Sequence, residues 1–286
     1  MNPFDLPGPS FLLFYLVVGG ITTFLVVYFR RKAEARYVPS PPLDDPYLLA
    51  YLRGGASETV RVAILSLLDR GQLKTDESSG NPLIKAKRKA GDVVRRPIEK
   101  AVIEEFRNAK EPSEVVGDLK TSKPCQTYQT TLEHWGLLPD TATKQARNVR
   151  YGIAAVFLLA TAGIKIVVAL QRGRTNIAFL IVLAIAFAVV TYVAAHPFRT
   201  RPGDRILEDV KNLFGMLRAR AALLRAGGAT SELAFLAAVF GLGAVPESVF
   251  PHKALLTPSP GSSSCGSSCG SGCGGGCGGG CGGCGG

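Results

Sequence analysis

The chain is poor in the residues that most often do chemistry. It has three histidines and one tryptophan, and a single cysteine, Cys125, before residue 265. Before the C-terminal tail there is no G-x-S-x-G, no P-loop, no H-E-x-x-H and no dinucleotide fingerprint, so the common hydrolase, nucleotide-binding and zinc-protease readings lack their residues. The histidines His134, His196 and His252 are scattered. Cys125 follows Lys123-Pro124 with no visible partner, which reads as a buried or idle thiol rather than a nucleophile. One cysteine in the body also excludes a disulfide framework. Acidic residues are in deficit, 22 against 33 lysines and arginines, for a formal charge of +11. Much of that excess flanks apolar runs, where it sets topology, so it is weak support for a polyanionic ligand.

Long hydrophobic runs are abundant. Hydrophobic residues make up 47% of the 286 and are concentrated in blocks, the pattern of an integral membrane protein. Residues 151–170 and 177–197 are each long enough for a helix to cross the ~30 Å hydrocarbon layer at ~1.5 Å per residue. The polar turn between them, residues 171–176, is too short to hold a domain, so the two predict a membrane hairpin. Residues 10–29 predict a third span. Arg30-Arg31-Lys32 follow it directly, the reverse of the order in a secretory signal, so an uncleaved anchor is expected.

Charge gives the expected orientation. Arg30, Arg31, Lys32, Arg36, Lys144, Arg147, Arg150, Arg199, Arg201 and Arg205 flank one side of the spans, and only Arg172 and Arg174 lie on the other. Ten against two predicts an outside N-terminus, with residues 44–145 and the C-terminus cytoplasmic. Lys165 lies inside a span; snorkelling to the outer headgroups is expected, and a transport role is the alternative.

Between the spans, Pro39-Ser40-Pro41-Pro42 reads as a stiff linker and Asp44-Asp45-Pro46 as a helix start. Residues 47–52 predict a short helix closed by Gly54-Gly55. A second helix starts after Ser57, carries Val60, Ile64, Leu67 and Leu68 on one face, and stops at Gly71. Residues 72–75 and 83–87 read as strands around a polar turn. Helix, helix and basic hairpin is the order of a winged-helix unit. Amphipathic helices are further expected at 97–108, 113–119 and 128–138. After the hairpin, residues 204–250 form an amphipathic cytoplasmic segment. Its part 204–224 would lie on the membrane or on the module, and 233–245 is too short for an ordinary span.

The expected fold is therefore mainly α: three transmembrane helices, a small α-rich, winged-helix-like (α+β) cytoplasmic module over 44–145, and a disordered tail. Residues 261–286 contain only glycine, serine and cysteine, with nothing to form a core. Cys265, Cys269, Cys273, Cys277 and Cys281 have three residues between neighbours, and Cys284 follows after two. In a reducing cytoplasm four such thiolates suffice for tetrahedral Zn²⁺, yet nothing around them would order the ligands. Soft metal binding, thiol redox chemistry and a low-complexity tail with no defined ligand all remain open. The second candidate site is the basic hairpin. Lys85, Lys87, Arg88 and Lys89 could contact anionic lipid, a protein partner or nucleic acid, and the nearby anionic leaflet favours the first two over DNA.

The segments Asp45-Pro46-Tyr47-Leu48, Tyr51-Leu52-Arg53-Gly54-Gly55, Leu65-Ser66-Leu67-Leu68-Asp69-Arg70-Gly71 and Leu132-Glu133-His134-Trp135-Gly136-Leu137-Leu138 precede a membrane hairpin and a Gly/Cys tail. In this succession the chain resembles an uncharacterised family of bacterial membrane proteins over nearly its whole length. The resemblance implies a bacterial inner-membrane location and the same layout, with no activity or catalytic residues attached. The function expected is binding or scaffolding at the inner membrane, with a membrane-tethered nucleic-acid-binding regulator and a thiol redox protein as alternatives.

Overall fold

The computed structural model describes residues 8–35, 44–76, 83–88, 90–171, 178–219, 232–247, 250, 253 and 255–257. Three of its helices are long and apolar enough to cross a membrane. They are α1 (Gly8–Ala33), α7 (Thr141–Gln171) and α8 (Ala178–Ala195). Their outward side chains are apolar, as lipid requires: Leu13, Phe24, Ile153, Val156, Phe179 and Val182 are all exposed. The interior of the bundle is narrow, built from Phe11, Tyr15, Leu158, Ala162, Leu180 and Ala184. Two hydrogen bonds tie the helices together there. Tyr15 donates to the Leu158 carbonyl at 3.2 Å, and the Thr23 and Thr191 hydroxyls meet at 2.9 Å. Such bonds matter because lipid provides no hydrophobic drive between helices.

The helical module is built around α2 (Pro46–Asp69). Asp45 accepts from the Tyr47 N–H at 3.0 Å and caps its start, with Pro46 at the first helical position. Its two arms meet at Gly54 and Gly55, where Gly55 takes φ +77°, a conformation that a side chain would resist. The second arm ends at Gly71, followed by an antiparallel hairpin of β1 (Leu73–Asp76) and β2 (Leu83–Ala86). A bridge between Ile84 and Lys110, with a bond from the Ala86 N–H to the Phe106 carbonyl at 2.8 Å, fastens the hairpin to the chain beyond it. Then come α3 (Ala90–Val93), α4 (Pro97–Glu105), α5 (Pro112–Leu119) and α6 (Lys123–His134). Prolines again open α4, α5 and α6 in their first turns.

The module is not completed by residues 44–145. After the membrane hairpin the chain returns as α9 (Arg201–Leu213), α10 (Gly215–Ala219) and α11 (Glu232–Phe240), with a 3₁₀ turn at Leu242–Ala244. Leu207 and Val210 of α9 and Leu233, Leu236 and Val239 of α11 belong to the same buried core as Leu49, Leu52, Ile64, Phe106 and Leu132. The amphipathic face of α9 thus lies on the module, and the apolar stretch after it is a core helix packed on α2. A helix apolar at eight of its nine positions is stable only where protein surrounds it on most sides.

Candidate functional site

The hairpin carries the first candidate surface. Its register pairs Leu73 with Ala86, Lys74 with Lys85 and Thr75 with Ile84. Because alternate residues face opposite ways, Leu73 and Ile84 enter the core while Lys74 and Lys85 project outward together. Lys87 and Arg88 are also exposed, and Lys89 lies outside the described residues. Among the described residues, none of Lys74, Lys85, Lys87 and Arg88 makes an ion pair. Like charges directly opposite each other destabilise a strand pair, so this surface holds unneutralised charge at some cost. Lys74 was missed from the sequence because its cross-strand partner depends on a register set by the turn. The helix before the hairpin is the centre of the module: Val60, Val62, Ala63, Ile64, Leu65 and Leu67 are all buried. Arg61 pairs with Glu58 at 2.7 Å, and Ser66 is buried beside Arg70. The outward positions of that helix, among them Ser57, Arg61, Leu68 and Asp69, are half-buried, which leaves little free face to offer a nucleic-acid groove.

The second constellation joins the spans to the module. Arg147, at the start of α7, is 2% exposed and donates to Glu34 at 2.8 Å, to the Pro197 carbonyl at 2.7 Å and to the Arg199 carbonyl at 3.2 Å. Arg30 donates to the Ala194 carbonyl at 2.8 Å. Arg199 in turn donates to the carbonyls of Leu52 and Arg53, closing the first arm of α2, and pairs with Asp204. Thr200 caps α9 and donates to the Gly136 and Leu137 carbonyls, while Gly203 brings the α9 backbone against Leu137. One polar network therefore fixes the ends of all three spans and the base of the module on the same side. In the sequence Arg147 registers only as a topology charge; its burial depends on three segments far apart in the chain.

Further polar contacts are internal. Glu99, buried, accepts from Tyr47 at 2.5 Å and pairs with Arg70. Asp45 pairs with Arg96, whose guanidinium lies 5.2 Å from the centre of the Tyr47 ring. Arg53 donates to the Ala238 carbonyl at 2.9 Å and pairs with Glu58, which fastens α11 to the bend in α2. Burial raises the Tyr47 and Tyr128 hydroxyls above their ordinary value and pushes Tyr51 up to about 12. These groups stay protonated at neutral pH and act as hydrogen-bonding pegs.

His134 is exposed, and the ring nitrogens of His196 lie 3.0 Å from the Tyr192 carbonyl and 2.7 Å from Asn148 Oδ1. His252 lies outside the described residues. Cys125 is buried, and desolvation pushes its thiol pKa up, the opposite of what activates a nucleophile. Lys165 does not reach outward to open lipid: it is 9% exposed, with its ammonium 4.7 Å from the centre of the Phe11 ring. The Phe11 ring lies in the first turn of α1, so the ammonium is held by protein at the N-terminal end of that span. Cys265, Cys269, Cys273, Cys277, Cys281 and Cys284 lie outside the described residues, and among the described residues no group of His, Cys, Asp and Glu comes together to hold a metal. No protein-family model matches the chain, and neither a curated protein nor a solved structure is found to be similar to it.

Proposed function

We propose that this chain is a binding and scaffolding protein of the bacterial inner membrane, holding a cytoplasmic module that engages an acidic protein partner. The observation that carries the reading is the outward face of the hairpin, where Lys74 and Lys85 stand opposite each other with Lys87 and Arg88 nearby. An acidic partner would relieve the like-charge repulsion that this face carries when free. The order helix, helix and hairpin supports a winged-helix-like module, with the hairpin as its wing. The ten-to-two distribution of flanking cations supports an outside N-terminus and a cytoplasmic module. Rigid attachment through Arg147 and Arg199 suits a scaffold, whose bound partner must keep a fixed position relative to the bilayer.

A membrane-tethered nucleic-acid regulator would share the basic wing but would have little helix surface to read bases, because most of the helix before the hairpin is buried. Photo-crosslinking from Arg88 in the full-length protein in its own membrane separates the readings. Crosslinks to an acidic protein, lost in K74Q/K85Q/K87Q, are the expected result. Crosslinks to DNA, or to lipid alone, would overturn it.

A further inference from the structure

On the lipid-facing side of the bundle, α1 and α7 leave an apolar groove of about 710 Å³. That volume lies within the ~300–1,000 Å³ usual for a small-molecule site. Val26 and Ala154, both buried, form its floor, and Phe29 and Ile153, both exposed, rise on either side. Along α1 the groove runs from Thr22 to Lys32, which at ~1.5 Å per residue is about 15 Å, half of the ~30 Å hydrocarbon layer. It therefore has the depth of one leaflet and is no path across the membrane. Its cytoplasmic end is lined by two cations on different helices, Lys32 of α1 and Arg150 of α7, and among the described residues its lining contains no carboxylate.

Two neighbouring cations at this level are already engaged, and Arg31 is exposed and does not line the groove. Arg30 is spent on the Ala194 carbonyl, and Arg147 on Glu34 and two carbonyls. Lys32 and Arg150 form no ion pair among the described residues. An apolar slot one leaflet deep, ending in two unneutralised cations at headgroup height, is complementary to one molecule with an acyl chain and an anionic head.

We infer that this groove is a binding site for a single anionic glycerophospholipid, with one acyl chain along Val26 and Ala154 and the phosphate between Lys32 and Arg150. A zwitterionic lipid fits less well, because its ammonium would enter a site whose described residues hold two positive charges and no acidic group. The inference concerns a surface apart from the hairpin and stands whether or not the hairpin binds a protein.

The test uses the full-length protein in nanodiscs that contain phosphatidylcholine and phosphatidylglycerol, with retained lipid read by native mass spectrometry. One phosphatidylglycerol per chain should be kept in preference to phosphatidylcholine. K32Q/R150Q should reduce that preference about tenfold or more, since a cation near an anionic headgroup contributes on the order of a fivefold factor. R31Q removes an exposed charge that does not line the groove and should leave the preference nearly intact. I153W, which fills the groove and leaves both cations, should release the lipid. Equal retention of the two lipids by the native chain would overturn the inference. So would an R31Q loss equal to that of K32Q/R150Q, or crosslinking from Ile153 to a second copy of the chain in place of lipid.

Discussion

Arg147 and Glu34 form an ion pair in which neither side chain is more than 7% exposed, and it joins the first span to the second across 113 residues of chain. Because Arg147 also donates to the Pro197 and Arg199 carbonyls, it holds the ends of all three spans together. Removing one member of a buried pair leaves an uncompensated charge, at a cost of about 3–5 kcal/mol. R147A should destabilise the protein by that order. E34Q should cost less, because the guanidinium keeps two carbonyl acceptors. Thermal unfolding in detergent, read by intrinsic fluorescence, would show the ordering, and equal losses for the two variants would show that the carbonyl contacts contribute nothing.

Gly203 lies where α9 crosses the turn after α6. A methyl group there would come within 2.3 Å of the Leu137 carbonyl oxygen, a backbone atom that cannot rotate away. G203A should therefore lower stability by about 1–3 kcal/mol, the cost of overpacking. Gly117 in α5 has open space around it and an ordinary helical setting, so G117A should raise stability by about 0.5–1 kcal/mol. Urea midpoints of the two variants should move in opposite directions.

The core depends on the chain beyond the membrane hairpin. Leu236 of α11 is fully buried, whereas Leu213 at the end of α9 is 77% exposed. L236A should cost about 2–5 kcal/mol and L213A less than about 0.5 kcal/mol. Truncation before residue 232 should make residues 44–145 sensitive to protease, and truncation after residue 257 should not. A protease-resistant product of residues 44–145 alone would contradict the shared core.

Elements with a local signal were legible in the sequence. The three spans, the Gly54-Gly55 bend, the Gly71 stop and the hairpin each follow from runs, caps or glycines a few residues apart. Gly136 takes φ +69°, as a helix stop requires. The boundaries were less legible. The second span begins ten residues earlier than its apolar run, because the basic segment Thr141–Arg150 continues the same helix out of the membrane. The destination of α11 was open, since an apolar run of that length suits a core or an interface equally and only its contact with α2 decides. The network around Arg147 and the Lys74–Lys85 pair were illegible for the same reason. Each is a meeting of distant segments, and no single segment carries a mark of it.

The tail can be tested by chemistry alone. If Cys265 to Cys284 provide a soft metal site, the full-length protein under reducing conditions should take up Zn²⁺ that a chain ending at residue 257 does not, with thiol protons released on binding. Single Cys→Ser changes should cost little, because six thiols can provide four ligands in several combinations. Replacing three should abolish a four-thiolate site. A proportional loss with each cysteine, measured by competition with a chromogenic chelator, would leave only non-specific thiol binding.

Alkaline pH should unfold the module through its buried acids. The hydroxyls of Tyr47, Tyr51 and Tyr128 are held above their ordinary value of 10.0, and the Cys125 thiol above 9.0, in each case first by burial. Above its ordinary value each group is ionised in the unfolded chain but still protonated in the folded one, so the folded state binds more protons and stability falls as pH rises. The contribution is complete below about pH 9 and is lost progressively as pH rises through about 12 and beyond. Tyr51 is the informative position. Its hydroxyl donates to Gln129 at 3.2 Å, a neutral bond whose removal costs about 0.5–1.5 kcal/mol at neutral pH. Y51F should therefore be less stable than the native chain at pH 8 but should lose less on going to pH 11, since phenylalanine has no proton to release. Denaturation midpoints across that range, with tyrosinate absorbance followed in parallel, would reveal the crossover in slope. Parallel curves for the two proteins would mean that Tyr51 ionises as readily folded as unfolded.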